Sequence, residues 1–488
     1  MKSEISRRDF LELTVAGGVL CIVGVGCHGT ASVNKTTGPK LVSPGCRGTK
    51  VKVARLYMGK PDNPYWPKPH LDLEKEMRFY QAEFAKLKDE LSDVDFVVDE
   101  LVSSPAEVEQ LANRLGDVDG VLVIHLTMGT GGVLKEILKA AKPTVVFAVP
   151  YSGHQWTHFG ELQKQQLGAR MECVLTSDYR QLAVALRPFR AIHHLREARI
   201  LDVRSSWSEG RHEYAANIKN KFGTEIKQIE LNRVLDAYNA VDDNLANAEA
   251  QRWIKGAVKV VEPSREDVFK SCKMALAFER LLDEQAATVI TVDCYGSMFE
   301  PLCRSYAFPC IGFTRLNNMG LGGICESKLQ DAMTHILFQG LVGRPGFQSD
   351  PTIDESNNTA ILAHCLGTTK MDGPDGPAAP YKLRTIMERR EGAVPQVQMR
   401  IGQRVTQAKL NGTDLLLYFT GEIIDTPVSL KHDRGCRTKI TVRVDGDARK
   451  LWQNWSHGLH RVTCYGDITR ELEHFCRFTD INLVNEAI

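Results

Sequence analysis

Apolar runs typical of buried strands alternate with amphipathic stretches typical of helices between residues 50 and 195. The strand candidates are residues 51–57, 95–98, 118–126 and 144–149, and the helix candidates are residues 73–91, 106–115 and 133–141. Nearly continuous apolar strands separated by helices favour a parallel sheet that helices cover on both faces. The pattern therefore predicts an N-terminal α/β domain over residues 50–172.

The same alternation begins again at residue 199. Strand candidates at residues 199–203 and 287–293 enclose helix candidates at residues 213–222, 235–255 and 265–284. A second α/β domain is therefore predicted over residues 173–345.

Beyond about residue 390 the pattern changes to a period of two, in short segments bounded by Gly, Asp and Asn. The candidates are residues 397–401, 405–410, 414–420, 438–444 and 461–465. Alternation of this kind is typical of strands with one buried face. It predicts a β-rich third domain over residues 346–488, in the form of an antiparallel sheet or small barrel.

Composition narrows the class of protein. Apolar residues make up 43% and charged residues 25% of the 488 positions, which excludes disordered and fibrous classes. The 61 Lys and Arg residues balance 60 Asp and Glu residues without a long run of one sign, so neither a nucleic acid nor a membrane surface is an expected partner. Thirteen scattered cysteines without a C-x-x-C pair are interpreted as small buried side chains in a protein that folds in a reducing compartment.

Residues 1–34 resemble a twin-arginine export signal followed by the start of a linker. The motif S-R-R-x-F-L runs from Ser6 to Leu11 and precedes a short apolar run at residues 13–25. Because this route carries proteins that have already folded, it agrees with the cysteine pattern and predicts a periplasmic protein. A lipid anchor at Cys27 is a further reading of the same segment.

The alternative is an ordinary basic N-terminus before a buried helix, which would make the protein cytoplasmic. No other segment approaches the roughly 18 apolar residues that a membrane helix needs, so no membrane span is predicted.

Familiar catalytic motifs give little guidance. The turn from Gly129 to Gly132 lacks both the G-x-G-x-x-G spacing and a Walker lysine, so a tight strand-to-helix turn is the better interpretation. The motifs G-x-S-x-G and H-E-x-x-H are absent, which leaves the common hydrolase and zinc-peptidase classes without support.

The densest polar cluster begins at a glycine-rich turn that ends at Glu326. Asp350 and His364 follow it, and His460 precedes the strand candidate at residues 461–465. Two carboxylates and two histidines suit a divalent metal with mixed oxygen and nitrogen ligands, such as Mn²⁺. In the alternative interpretation the carboxylates are solvated, one histidine lies in the core and the other histidines face the solvent, as is common for these residue types.

These residues lie in segments that resemble the L-fucose isomerase and L-arabinose isomerase family. The segments are G-I-C-E at residues 323–326, G-R-P-G-F at 343–347, I-D-E-S-N-N at 353–358, L-A-H-C at 362–365, V-T-Q-A-K-L at 405–410, C-R-T at 436–438 and Y-G-D at 465–467. The resemblance covers roughly residues 50–488. In the N-terminal part it consists only of the pattern of strands, helices and glycine turns, without matching motifs.

The resemblance implies two Rossmann-like α/β domains followed by a β-rich, antiparallel and barrel-like domain. It also implies that Glu326 and Asp350, 24 positions apart, bind Mn²⁺ and handle protons, and that His460 completes the metal site. His364 matches a further histidine of the arabinose isomerase branch. This chain departs from the family in having no His-His pair before the last strand, so His457 competes with His460 for the late position.

The resulting hypothesis is a Mn²⁺-dependent aldose–ketose isomerase that acts on an open-chain monosaccharide, with Glu326 and Asp350 as catalytic residues. Moving hydrogen between C1 and C2 through an enediol requires a base beside a metal that polarises the carbonyl. The family also implies a homo-oligomer. The alternative function is an exported sugar-binding or interaction protein that keeps the fold without turnover.

Overall fold

A computed structural model describes residues 49–62, 71–294, 296, 302–427 and 435–488. All of these fall within one compact unit, Lys40–Ile488. The export signal predicted at residues 1–34 and the lipid anchor at Cys27 lie outside the described residues. Among the described helices, none is both long and apolar enough to cross a membrane.

Strands and helices alternate over most of this unit. The strands are β1 (Val51–Met58), β2 (Val94–Val102), β3 (Gly120–His125), β4 (Thr144–Ala148), β5 (Met171–Leu175), β6 (Arg199–Val203), β7 (Glu225–Ile229), β8 (Lys259–Val260), β9 (Val289–Val292), β10 (Gly322–Cys325), β11 (Phe347–Asp354), β12 (Thr359–His364), β13 (Tyr381–Arg384), β14 (Val394–Val397), β15 (Arg404–Asn411), β16 (Leu415–Asp425), β17 (Thr438–Val444), β18 (Arg461–Tyr465) and β19 (Asn482–Asn485). The α-helices are Leu73–Lys86, Pro105–Gln110, Ala112–Gly116, Gly131–Leu138, Trp156–Gln163, Gln181–Val184, Arg187–Glu197, Glu209–Phe222, Leu231–Asn239, Asp243–Gly256, Arg265–Glu284, Cys310–Asn318, Leu329–Val342, Ala448–Asn454 and Thr469–Thr479.

The first sheet is parallel, with the strand order β2-β1-β3-β4-β5. Side chains of β3 alternate between two hydrophobic clusters, one containing Leu122 and Ile124 and the other containing Val121 and Val123. Both faces are therefore buried, which explains why the strand reads as a continuous apolar run. The predicted parallel α/β arrangement is confirmed here.

The second sheet is also parallel, with the order β10-β9-β6-β7. Its edge strand β10 packs so closely on the helix Cys310–Asn318 that a Cβ atom at Gly323 would lie 2.3 Å from the Cα atom of Phe313. Only glycine fits there. Glu326, which directly follows β10, lines the cavity described below.

Six antiparallel strands form a closed barrel in the C-terminal part. The pairings run β15-β18-β11-β12-β17-β16 and return from β16 to β15. Closure leaves none of these six strands with a free edge, and Phe347, Phe419 and Val442 fill a core cluster. The predicted antiparallel, barrel-like region is confirmed, and β19 adds to β16 in parallel.

A small sheet links distant parts of the chain. Its order is β14-β13-β8, in which β8 pairs in parallel with β13. A two-residue strand such as β8 has no periodic pattern of its own, so the sequence did not reveal it. The loop between β13 and β14 is held at one end of the barrel by these pairings, and it contributes to the cavity described below.

Several predicted boundaries were wrong for local reasons. The helix predicted at residues 106–115 is interrupted at Leu111. The helix predicted at 235–255 breaks before Asp242, whose carboxylate caps a new helix by accepting from the backbone N–H groups of Asn244 and Leu245. The strand predicted at 397–401 ends at Val397 instead.

The predicted limit between residues 172 and 173 falls inside β5, so the first sheet extends to Leu175. The division into two Rossmann-like domains and a third domain at residue 346 stays a prediction.

Candidate active site

A cavity of about 290 Å³ lies where the end of β10 meets one end of the barrel. Glu326, Asp350, His364 and His460 all line it. The structure therefore brings together the four side chains selected from the sequence, although Glu326 and His460 are 134 positions apart. His457 is exposed on the loop before β18 and does not belong to the residues that line the cavity.

Glu326 follows β10 in an unusual backbone conformation. Glu326 and the next residue, Ser327, both have positive φ angles, 58° and 54°. For residues other than glycine this conformation costs on the order of 1–3 kcal/mol and persists only where the surroundings enforce it. Such residues concentrate at functional sites. The sequence indicated a turn that ends at Glu326, but not its positive φ angles.

Buried ionic contacts hold this turn in place. The Ser327 hydroxyl donates to the carboxylate of Asp202, which is fully buried at the end of β6. Arg211 donates to the Ser327 carbonyl oxygen at 2.6 Å and forms an ion pair with Asp202 at 2.6 Å. The two charged side chains therefore fix the backbone that presents Glu326 to the cavity.

A glutamine connects the end of β10 with the barrel. Gln348 of β11 accepts from the Cys325 N–H at 2.8 Å and donates to the Cys325 carbonyl oxygen at 3.2 Å, as a paired strand would. The register of the barrel then positions the other site residues. Asp350 pairs with Ala363, next to His364, and Ser349 pairs with Arg461, next to His460.

The imidazole of His460 lies between the two carboxylates. Its Nε2 atom is 3.0 Å from Asp350 Oδ1 and 3.4 Å from Glu326 Oε2. The rings of His364 and His460 have centroids 5.6 Å apart. One potential ligand atom each from Glu326, His364 and His460 lies within 4.8 Å of the other two.

Burial and charge shift the pKa values of these groups in opposite directions. Burial by itself lowers the pKa of His460, but the carboxylates of Asp350 and Glu326 outweigh burial and raise it to about 9. Burial raises the pKa of Glu326, but its contact with His460 outweighs burial and lowers it to about 2. Burial and the neighbouring His460 lower the pKa of His364 to about 4.

Several polar atoms in this cluster have no hydrogen-bond partner. His460 Nε2, His364 Nε2 and Asp350 Oδ1 are buried, and none of them makes a hydrogen bond of proper geometry with the described residues. The contact between His460 and Asp350 is therefore short enough for an ion pair but does not have the geometry of a hydrogen bond. Buried groups of this kind normally have partners, so their convergence fits a bound cation.

A buried ion pair lies next to the cluster and contacts its backbone. Lys409 of β15 donates to the His460 carbonyl oxygen at 3.2 Å, and its Nζ atom lies 3.7 Å from Asp331 Oδ1. Asp331 in turn accepts from Gln348 at 2.8 Å. Sequence analysis missed both charged residues, although a carboxylate within the apolar helix Leu329–Val342 was an available signal.

Thiols line the same cavity. The cavity-lining cysteines are Cys294, Cys310, Cys325, Cys365 and Cys436. The interpretation of the cysteines as mostly buried side chains is consistent with the structure, since eight of the ten described cysteines are buried. Their concentration around one cavity was not foreseen, because single cysteines carry no periodic pattern.

Part of the chain is similar to a sugar isomerase. Over 303 residues it is 23% identical to the sulfoquinovose isomerase of Clostridium sp. (strain MSTE9), and the match covers 58% of this chain. The chain spans 63% of the length of that relative. No protein-family model matches the chain.

Proposed function

We propose that this protein is a metal-dependent aldose–ketose isomerase of the L-fucose and L-arabinose isomerase type. The observation that carries the proposal is the convergence of Glu326, Asp350 and His460 on one cavity from separate elements. Similarity to a sulfoquinovose isomerase supports the same class of reaction. Because the similarity is distant, the proposal depends mainly on the geometry of the site.

The donor set suits Mn²⁺ or a similar divalent ion. Glu326, Asp350 and His460 would hold the ion, with His364 as a further ligand, because carboxylate oxygens and imidazole nitrogens are ligands that such ions accept. The ion would polarise the sugar carbonyl and stabilise the negative charge that develops on oxygen. A bound ion would also account for the buried nitrogen and oxygen atoms without hydrogen-bond partners.

The two carboxylates provide the proton chemistry. One takes the proton from C2 of the open-chain aldose, which leaves an enediol, and returns that proton to C1 to give the ketose. The other moves the hydroxyl proton from O2 to O1, so that no proton is gained or lost overall. Glu326 is ionised at neutral pH because the pKa of its carboxyl is lowered to about 2.

The lining of the cavity combines apolar and charged surface. Phe308, Pro309, Ile386 and Leu459 provide apolar surface beside the polar cluster. Lys328 Nζ lies 3.7 Å from Glu326 Oε2, so a cationic side chain is also close to the cluster. We propose a deoxy-hexose or pentose as substrate, because the resemblance to the L-fucose and L-arabinose isomerase family points to these sugars.

Two further proposals rest on the sequence. The resemblance to the isomerase family supports a homo-oligomer, and the motif around Arg7 and Arg8 supports export by the twin-arginine route to the periplasm.

The decisive experiment is an isomerisation assay on the purified protein. The protein is first treated with a chelator and then supplied with Mn²⁺, together with neutral aldoses in one arm and sulfoquinovose in the other. Metal-dependent formation of a ketose from a neutral aldose is expected. Saturable binding of a sugar without any ketose would instead identify a binding protein.

A further inference from the structure

A second group of potential metal ligands lies at the same end of the barrel. Cys365 directly follows β12, Cys436 lies two residues before β17, and Glu388 lies in the loop between β13 and β14. Because β12 and β17 are antiparallel neighbours whose pairing ends at His364 and Thr438, their ends place the two cysteines near each other. Glu388 approaches both cysteines from the loop of the small sheet.

The ligand atoms of this thiol cluster, Cys365, Glu388 and Cys436, are close enough to share one ion. One atom from each residue lies within 4.8 Å of the other two, and Cys365 Sγ is 3.8 Å from Glu388 Oε2. In a tetrahedral zinc site with bonds of about 2.0–2.3 Å, neighbouring ligand atoms lie roughly 3.5–3.8 Å apart. Small side-chain adjustments would therefore complete the geometry.

The chemistry of the thiol cluster differs from that of the first site. Glu326, Asp350, His364 and His460 present oxygen and nitrogen atoms, whereas two of the three ligands here are sulfur. Thiolates select thiophilic ions such as Zn²⁺, whereas carboxylates also accept harder ions such as Mn²⁺. The thiol cluster also opens to solvent, since Cys436 is half-buried and Glu388 is exposed, so an ion has a path of entry.

We propose that Cys365, Glu388 and Cys436 form a second binding site, in the same cavity as the first, for a thiophilic divalent cation of the Zn²⁺ type. On binding, the two thiols release two protons and form two metal–sulfur bonds, and the Glu388 carboxylate supplies a third bond. A fourth position remains for water or another small ligand. The proposal rests on this cluster alone and does not depend on the isomerase function.

The test uses Co²⁺ alone as a spectroscopic probe, on full-length protein kept reduced. Cobalt bound by thiolates has intense charge-transfer absorption in the near ultraviolet, and cobalt bound by oxygen and nitrogen ligands lacks it. The wild-type protein is expected to show this absorption once two equivalents are added, because the first site can take up one equivalent, and excess Zn²⁺ is expected to remove it. Cys436→Ser and Cys365→Ser should each abolish it.

Three control variants make the result specific. Cys173→Ser changes a half-buried thiol in β5 and should leave the absorption intact. Glu326→Gln should also leave it intact while abolishing isomerisation, so failure of one proposal is separable from failure of the other. Cys294→Ser tests the remaining thiols, because Cys294 Sγ lies 2.7 Å from Cys325 Sγ in the same cavity.

The proposal is overturned if the wild-type protein shows no charge-transfer absorption, or if only Cys294→Ser removes it. A second measurement uses only the wild-type protein, so its result does not depend on whether the variants fold. Zn²⁺ should slow alkylation of Cys365 and Cys436 in the wild-type protein, as measured by mass spectrometry of their peptides. Equal alkylation of these two cysteines with and without Zn²⁺ would contradict the site.

Discussion

His460 Nε2 lies 3.0 Å from Asp350 Oδ1, although the two residues are 110 positions apart in the chain. The contact arises because β11 and β18 are neighbours in the barrel, with Ser349 opposite Arg461. The pKa of about 9 keeps the imidazole protonated between two carboxylates at neutral pH. In the metal site that we propose, a proton and a divalent ion would therefore compete for one position, and this competition would have measurable consequences.

Replacing Asp350 should lower the pKa of His460. Asp350→Asn removes a negative charge beside the imidazole, so the pKa should fall from about 9 towards its ordinary value. The measurement is an NMR titration of histidine rings labelled with ¹³C in the metal-free protein. Asp354→Asn, four residues along the same strand, is the control and should leave the titration unchanged.

The affinity for Mn²⁺ should increase with pH. Mn²⁺ needs the deprotonated imidazole, and the pKa of His460 is raised to about 9, so each pH unit below that value should weaken binding by about tenfold. Above pH 9 the affinity should level off. Titration calorimetry from about pH 6.5 to 9.5 measures the slope. A flat profile would mean that His460 does not bind the ion.

Glu326→Gln should abolish isomerisation while the fold survives. The amide keeps the size of the side chain but cannot accept a proton from carbon, and losing such a group typically lowers the rate by about 10²–10⁴. Rates of ketose formation, with circular dichroism as a check on folding, measure the effect. Glu473→Gln changes an exposed glutamate on the helix Thr469–Thr479 and should retain full activity.

Arg211→Ala should destabilise the protein strongly. It leaves the fully buried carboxylate of Asp202 without its ion-pair partner, and such a loss costs about 3–5 kcal/mol in the free energy of unfolding. Arg233→Ala is the matched control, because its ion pair with Glu284 is exposed and contributes less than about 1 kcal/mol. Equilibrium unfolding in urea compares the two variants, and equal losses would refute the role assigned to Asp202.

The sequence by itself determined the type of most strands and helices. Periodicity is a local property, so the buried runs of β3 and β4 and the alternation of β17 and β18 could be recognised without any knowledge of the fold. It also led to Glu326, Asp350, His364 and His460, because a resemblance to known enzymes pointed to them. Periodicity did not predict β8 or the helix breaks, because only a few residues determine these features.

Only the tertiary structure determined how these residues are held and what surrounds them. The positive φ angles at Glu326 and Ser327 depend on Asp202 and Arg211, which belong to other elements. The choice of His460 over His457 depends on the register of β11 against β18. The thiol cluster arises from the ends of two paired strands and a distant loop. Contacts between remote segments leave no local pattern, and for that physical reason only the folded chain reveals them.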